Sequence, residues 1–176
     1  EQRLAYLPQD RRIALGISKT LPKNTNGSVL FSDISGFTRL SETLVSALGP
    51  RRGAEELLRQ LNKIFEALIA EVDRFGGSVI SFAGDAITCW FDNELVSEIG
   101  LQNISSFSAQ TRSVMCAMRM QTVIRTIEPL NIENHEEITV GLKISIASGP
   151  ALRFLVGNPE IQVIDALAGK LLSRMA

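Results

Sequence analysis

Apolar positions along the chain switch between two periods, and the switches mark out its elements. Val29-Leu30-Phe31-Ser32 is too short an apolar run for a helix and predicts a buried strand ending at Asp33. After Ser35-Gly36, the residues Phe37, Leu40, Leu44, Val45 and Leu48 fall at helical spacing, and Gly49-Pro50 ends that helix and opens another. In the second helix Leu57, Leu58, Leu61, Ile64, Phe65, Leu68, Ile69 and Val72 mark a core face, with Glu55 and Arg59 placed to pair on the other. Gly76-Gly77 stops it. The period then drops to two. Ser78 to Ala83 and Ala86 to Phe91 are β-rich, and Gly84-Asp85 alone between them predicts a tight hairpin.

Beyond a polar connection at 92–105, a third helix is expected over 106–127, closed by Glu128-Pro129. An acidic loop follows at 131–137. Ile138 to Ala147 reads as a strand, with Ala151 to Val156 pairing back across Ser148-Gly149-Pro150. Ile161 to Ile164 is a further strand, or the run-in to a last helix from Asp165 to Ala176. At the other end, Pro8 opens a short helix through Leu15, and Leu21 to Gly27 has the composition of a loop. Residues 1–27 are thus expected as a lead-in and 28–176 as one domain. The order implies an α+β fold with a mostly antiparallel sheet, helices on one face and a split βαβ arrangement. The last predicted helix meets no cap signal at Ala176, so the sequence reads as a piece of a longer chain.

Composition narrows the function. The 176 residues are 45% hydrophobic and 21% charged with a net charge of −1, which excludes wholesale disorder and leaves no nucleic-acid footprint. No apolar run reaches membrane-spanning length, and Glu1 to Asp10 lacks a signal pattern. The two cysteines, Cys89 and Cys116, form no C-x-x-C pair and read as buried residues in a reducing compartment, hence a cytoplasmic protein. The lone histidine, His135, reads as part of a solvated loop, and no zinc set exists. Gly169-Lys170 is no P-loop, because Ile164 stands at the first glycine position and Leu171 at the Ser/Thr position.

Two carboxylates stand out. Asp33 lies at a strand exit and Asp85 at a hairpin tip, and in a split βαβ fold these are sheet neighbours. Two carboxylates about 4 Å apart repel by several kcal/mol at a protein surface. A divalent cation removes that repulsion, and oxygen ligands without His or Cys suit Mg²⁺ or Mn²⁺. Ser35-Gly36-Phe37-Thr38 opens a helix whose first amides have no helical partner and would face a phosphate. Alone, Asp33 reads as a helix cap and Asp85 as a turn residue. Together they favour a metal-and-triphosphate site. Lys143, inside an apolar strand, is either a solvated edge residue or a cation aimed at phosphate.

Phe31-Ser32-Asp33-Ile34-Ser35-Gly36-Phe37-Thr38 and Phe82-Ala83-Gly84-Asp85-Ala86 together resemble the class III nucleotidyl cyclase domain. Arg51-Arg52-Gly53-Ala54-Glu55-Glu56-Leu57 and Phe75-Gly76-Gly77 are most similar to the first cyclase domain of bicarbonate-responsive soluble adenylyl cyclases and bacterial relatives. The resemblance implies a ferredoxin-like βαββαβ core and cyclisation of ATP, or GTP, to the 3′,5′-cyclic monophosphate with release of pyrophosphate. It implies two metal ions, Mg²⁺ or Mn²⁺, on Asp33, Asp85 and the Ile34 carbonyl. It implies phosphate contacts from Ser35, Gly36, Phe37, Thr38, Gly84 and Lys143. A site of this family forms between two domains, so a complementary cyclase domain in cis or trans, or a second copy, is expected.

The chain also departs from the family pattern. Ser81 stands where a base-binding lysine lies in domains that supply both halves, and where bicarbonate-responsive relatives carry a bicarbonate-site lysine. The base-selecting position falls near Gln162 or Asp165, Gly169-Lys170 replaces the expected Asn region, and Arg174 matches the transition-state arginine only with gaps. The family's final strands, after the last helix, are missing. The chain therefore reads as the metal-bearing half of a pair. The alternative is a non-catalytic nucleotide-binding or dimerisation module. A diguanylate cyclase is disfavoured by the absence of a Gly-Gly-acidic-Glu-Phe hairpin.

Overall fold

The run at residues 29–32 is the centre of a longer strand, β1 (Asn24–Ser35), in the computed structural model. The structure describes residues 7–93, 106–132, 137–158 and 162–174. Asn24 to Gly27, expected as loop, are already strand, paired with Gly149 to Leu152. Helices α2 (Phe37–Leu48) and α3 (Pro50–Arg74) lead to the hairpin β2 (Ser78–Ala83) and β3 (Ala86–Asp92). Helix α4 (Ala109–Ile124) precedes β4 (Gly141–Asn158) and β5 (Gln162–Ala168), and a short helix α1 (Gln9–Gly16) stands before β1. The sheet order is β2-β3-β1-β4-β5, antiparallel throughout. β1 lies between β3 and β4, so β1-α2-α3-β2 and β3-α4-β4 are two interleaved split βαβ units, the α+β ferredoxin-like arrangement.

Helices α3 and α4 share one face of the sheet. Leu30, Ile34, Ile87, Cys89, Phe91 and Leu142 on that face meet Ile64, Leu68 and Val72 of α3 and Cys116, Met120 and Ile124 of α4. Each such side chain contributes about 1.5–3 kcal/mol by leaving water. On the opposite face Val29, Trp90, Ala147 and Ala151 pack under Leu171. α2 is held against α3 at Gly53, where a β-carbon would come within 2.7 Å of the Leu44 carbonyl oxygen. The exposed pairs on α3 are Arg59 with Glu56 and Arg51 with Glu55, not Glu55 with Arg59.

Two expectations fail on the C-terminal side. Ser148-Gly149-Pro150 is not a turn. β4 runs straight through it, with Gly149 at φ +149°, a conformation that favours glycine, and Pro150 still paired with Asn26. Nor does a helix begin at Asp165. Asp165 is buried, Ile164 is exposed and Leu167 packs inward. That is the two-residue period of a strand, followed by a short 3₁₀ turn, Leu172–Arg174. His135 and most of the 92–105 connection lie outside the described residues.

Two buried charge clusters lock the frame. The Arg112 guanidinium donates to the carbonyls of Phe75 and Gly76, both at 3.0 Å, and to that of Asp92, and lies 5.9 Å from the centre of the Phe91 ring. It thereby satisfies carbonyls at the C-terminus of α3 that no helical amide reaches. Burial pushes its pKa down, and nearby Asp92 opposes that. At the far end of the sheet, Arg153 of β4 bonds both Asp10 of α1 and Asp165 of β5, and Arg11 bonds Asp165 at 2.9 and 3.1 Å. All four residues are buried. Two cations and two anions cancel, which is the condition for holding charge in a low-dielectric interior.

Candidate active site

One hydrogen bond brings the two aspartates to the same place. The Ile34 N–H donates to the Asp85 carbonyl at 3.2 Å. The β1–β3 ladder closes at the same point, with Asp33 opposite Ala86. The hairpin turn there is made by Gly84 at φ +63°, so Asp85 is delivered to the end of the strand that carries Asp33. Both aspartates are half-buried, and among the described residues neither side chain has a hydrogen-bond or ion-pair partner.

Strand alternation sets what shares their face. Leu30 and Ile34 face α3 and α4, so Val29, Phe31 and Asp33 face the other way. Across the ladder, Lys143 of β4 stands directly opposite Asp33. Direct cross-strand neighbours have β-carbons about 4.5–5.5 Å apart. Lys143 is exposed and shares the face of Asp33. One row further in, Ser81, Thr88, Phe31 and Ser145 line up across four strands. Thr88 and Ser145 went unnoticed in the sequence. Counting back by two from Asp33 and reading across the hairpin register would have found them.

The N-terminus of α2 completes the arrangement. Gly36 takes φ +89° at the N-cap, no side chain caps the helix, and its first turn has no acidic residue. A β-carbon at Gly36 would come 3.1 Å from the Thr139 carbonyl oxygen. The first amides of α2, those of Phe37 and Thr38, have no acceptor within the helix and lie at the positive end of its dipole.

This geometry agrees with the comparisons. The sequence pattern of the adenylate and guanylate cyclase catalytic domain matches residues 21–163. The chain belongs to that family. Rabbit (Oryctolagus cuniculus) adenylate cyclase type 10 is 31% identical over 133 residues, which are 76% of this chain and 8% of the relative. The chain thus spans under a tenth of the length of that relative. Among solved structures, the adenylyl cyclase CyaB from P. aeruginosa superposes with a TM-score of 0.63 at 19% identity, covering 86% of this chain and 69% of the other. The dimeric guanylyl cyclase domain of the RhoGC fusion protein from Blastocladiella emersonii gives 0.64 at 19%, covering 88% and 73%. These two likenesses speak to the fold.

Within the cyclase fold, the donor set fits hard divalent cations. Among the described residues no group of three or more His, Cys, Asp and Glu gathers anywhere. Two unpartnered carboxylates and backbone carbonyls are what the site offers, and Mg²⁺ characteristically takes one or two carboxylates and completes its shell with phosphate and water. The other positions, expected to contact the base or the transition state, do not all gather here. Asp165 is bonded to two arginines in the buried cluster and is unavailable to a substrate. Lys170 and Arg174 are exposed in the segment after β5.

Proposed function

We propose that this cyclase domain converts ATP to 3′,5′-cyclic AMP and pyrophosphate as the metal-bearing half of a site shared with a complementary cyclase domain. We take residues 28–176 as that unit, with helix α1 of the lead-in docked on it through Asp10 and Arg11. The observation that carries the proposal is the meeting of Asp33, Asp85 and the uncapped α2 N-terminus at one end of the sheet. In the reaction the ribose 3′-oxygen bonds to the α-phosphorus, its proton leaves, and the bond from that phosphorus to the β-phosphate oxygen breaks. Asp33, Asp85 and the Ile34 carbonyl would hold two Mg²⁺ or Mn²⁺ ions, which when bound lower the pKa of the hydroxyl and offset phosphate charge. The amides of Ser35 to Thr38, with Gly84 beside them, fix the phosphates. Lys143 places a positive charge beside Asp33, where pyrophosphate gains negative charge as it leaves.

Support for ATP comes from the adenylate cyclase relative. Support for a complementary domain comes from two features. Ser81 is neutral in the row beside Asp33. On one face of the β4–β5 hairpin, Leu152, Phe154, Val156 and Ile164 are all exposed. A contiguous apolar patch of this kind marks an interaction surface. The second reading, a non-catalytic nucleotide-binding module, is favoured by the same Ser81 and by the commitment of Asp165 to the ion cluster.

A cyclase assay by mass spectrometry separates them. The chain is incubated with ATP or GTP and Mn²⁺, alone and with a complementary cyclase domain. Cyclic AMP only in the mixture is the expected result. No cyclic nucleotide in any mixture, with metal-dependent ATP binding intact, establishes the second reading.

A further inference from the structure

The outer side of α3 carries an apolar stripe that the fold covers only in part, Leu61 and Phe65 also packing against the core. Leu58, Leu61, Phe65 and Ile69 step along it by three and four residues. Phe82 of β2 closes over the same groove, its ring centre 5.4 Å from that of Phe65 in an edge-on contact. The groove has a volume of about 770 Å³ and follows α3 from Leu58 to Asp73. That is about 23 Å at 1.5 Å per residue, the length of four helical turns. Leu58 is 59% exposed and Phe82 56% exposed, so the apolar floor is open to an occupant. The polar lining is mainly acidic. Glu66 and Asp73 stand in it with Asn62, and Arg12 adjoins Asp73 from the neighbouring recess. Desolvation raises the Asp73 pKa, against an opposing effect of Arg12, as expected for a carboxylate at a partly dry surface.

We propose that this groove docks a cationic amphipathic helix, with apolar side chains seated over Phe65, Ile69 and Phe82 and Lys or Arg side chains meeting Glu66 and Asp73. The dimensions fit a helix laid in a groove, a recurrent mode of peptide recognition. The charge selects its chemistry. A second copy of this face would set carboxylates against carboxylates, and an anionic lipid surface would be repelled by them. The groove lies on the helix-covered side of the sheet, opposite the face that carries Asp33 and Lys143. A helix docked there leaves that face open while touching Gly84, the residue before Asp85. This assignment does not depend on the cyclase chemistry, and its test reads binding alone.

The probe is a fluorescent 15-residue peptide of leucine and lysine with leucines on one helical face. It is titrated by anisotropy against the full chain. Controls are a peptide with glutamate in place of lysine and a scrambled peptide without an apolar face. Saturable binding by the lysine peptide alone is expected. It weakens at least tenfold in Glu66→Lys/Asp73→Lys and in Leu58→Ser/Phe82→Ser, and is unchanged in Leu152→Ser on the distant hairpin. All substituted side chains are at the surface, and circular dichroism checks that each variant is folded. Equal affinity for the variants, equal binding of either control peptide, or no saturable binding overturns the proposal. Dimerisation of the chain lost in Leu58→Ser would assign the groove to a second copy. Binding to phosphatidylserine vesicles lost in Leu58→Ser/Phe82→Ser would assign it to a membrane. Either outcome overturns it.

Discussion

The Ile34 amide and the Asp85 carbonyl are joined by a 3.2 Å hydrogen bond that binds the end of β1 to the tip of the β2–β3 hairpin. It places two aspartates, fifty-two residues apart in sequence, at one end of the sheet without either side chain taking part. The carboxylates stay unengaged because backbone, and not side chain, does the joining.

Asp33→Asn and Asp85→Asn are therefore expected to leave the fold intact and remove the chemistry. Each lowers cyclic nucleotide formation with a complementary domain by at least about 100-fold, as expected for a lost metal ligand. Mn²⁺-dependent ATP binding by calorimetry weakens in parallel, while the melting temperature stays unchanged or rises as carboxylate repulsion is relieved. Full metal-dependent ATP binding in either variant would remove the metal assignment.

Arg153→Met leaves Asp10 and Asp165 as buried carboxylates with one cation, Arg11, between them. The expected loss is about 3–5 kcal/mol in urea denaturation, the usual cost of breaking a buried ion pair from one side. Arg153→Met/Asp165→Leu recovers a large part of it, because the second change removes the stranded charge. A double variant no more stable than the single one would show that packing, not charge, is what Arg153 supplies.

Arg112→Met strands the carbonyls of Phe75, Gly76 and Asp92 together. About 2–4 kcal/mol is the expected cost, from lost charge-assisted bonds and unsatisfied buried acceptors. Hydrogen exchange should report faster opening of the last turn of α3 before any effect at Asp33. Uniform acceleration across the sheet would instead mean that Arg112 supports the whole core.

The two cysteines predict a pH response. Burial pushes the Cys116 thiol up to about 12 and Cys89 well above its usual value. In the unfolded chain both ionise near pH 9, so the folded form retains protons that the unfolded form has lost. Stability from this source is complete below about pH 9 and is lost as pH rises toward about 12. Cys116→Ala and Cys89→Ala should flatten the alkaline limb of a stability profile. Iodoacetamide should label neither thiol at pH 8 until denaturant is added, and rapid labelling of the folded chain would contradict the burial.

The helical half of the fold was legible because it is locally encoded. Phe37 to Leu48 and the long helix after Pro50 carry their start, stop and core face in neighbouring residues. So was the Gly84-Asp85 hairpin, whose turn chemistry needs no distant partner. The C-terminal part was not, because its determinants are distant. Gly149-Pro150 has the composition of a turn, and only Gly27 and Asn26, more than a hundred residues earlier, keep it in a ladder. Asp165 has the look of a helix cap, and Arg11 and Arg153 make it a buried strand residue. At the site the sequence paired Asp33 with Asp85 and left Lys143 between two readings. That Lys143 shares the face of Asp33 came from register, which local pattern does not encode.

β4 runs eighteen residues without a turn, and this sets a rule of parity for the whole domain. Lys143, Ala147, Ala151 and Arg153 are all odd-numbered and share one face, while Leu142, Ile144 and Ile146 share the other. Removing a single residue between Ser145 and Ala151 would exchange the faces downstream. It would turn Arg153 out to water and press Leu152 and Phe154 against Asp10 and Asp165. Removing two would shorten the strand and spare the pattern. Length variation in this strand is thus confined to even steps, and the ion cluster at one end acts as a gauge of the register of the lysine at the other.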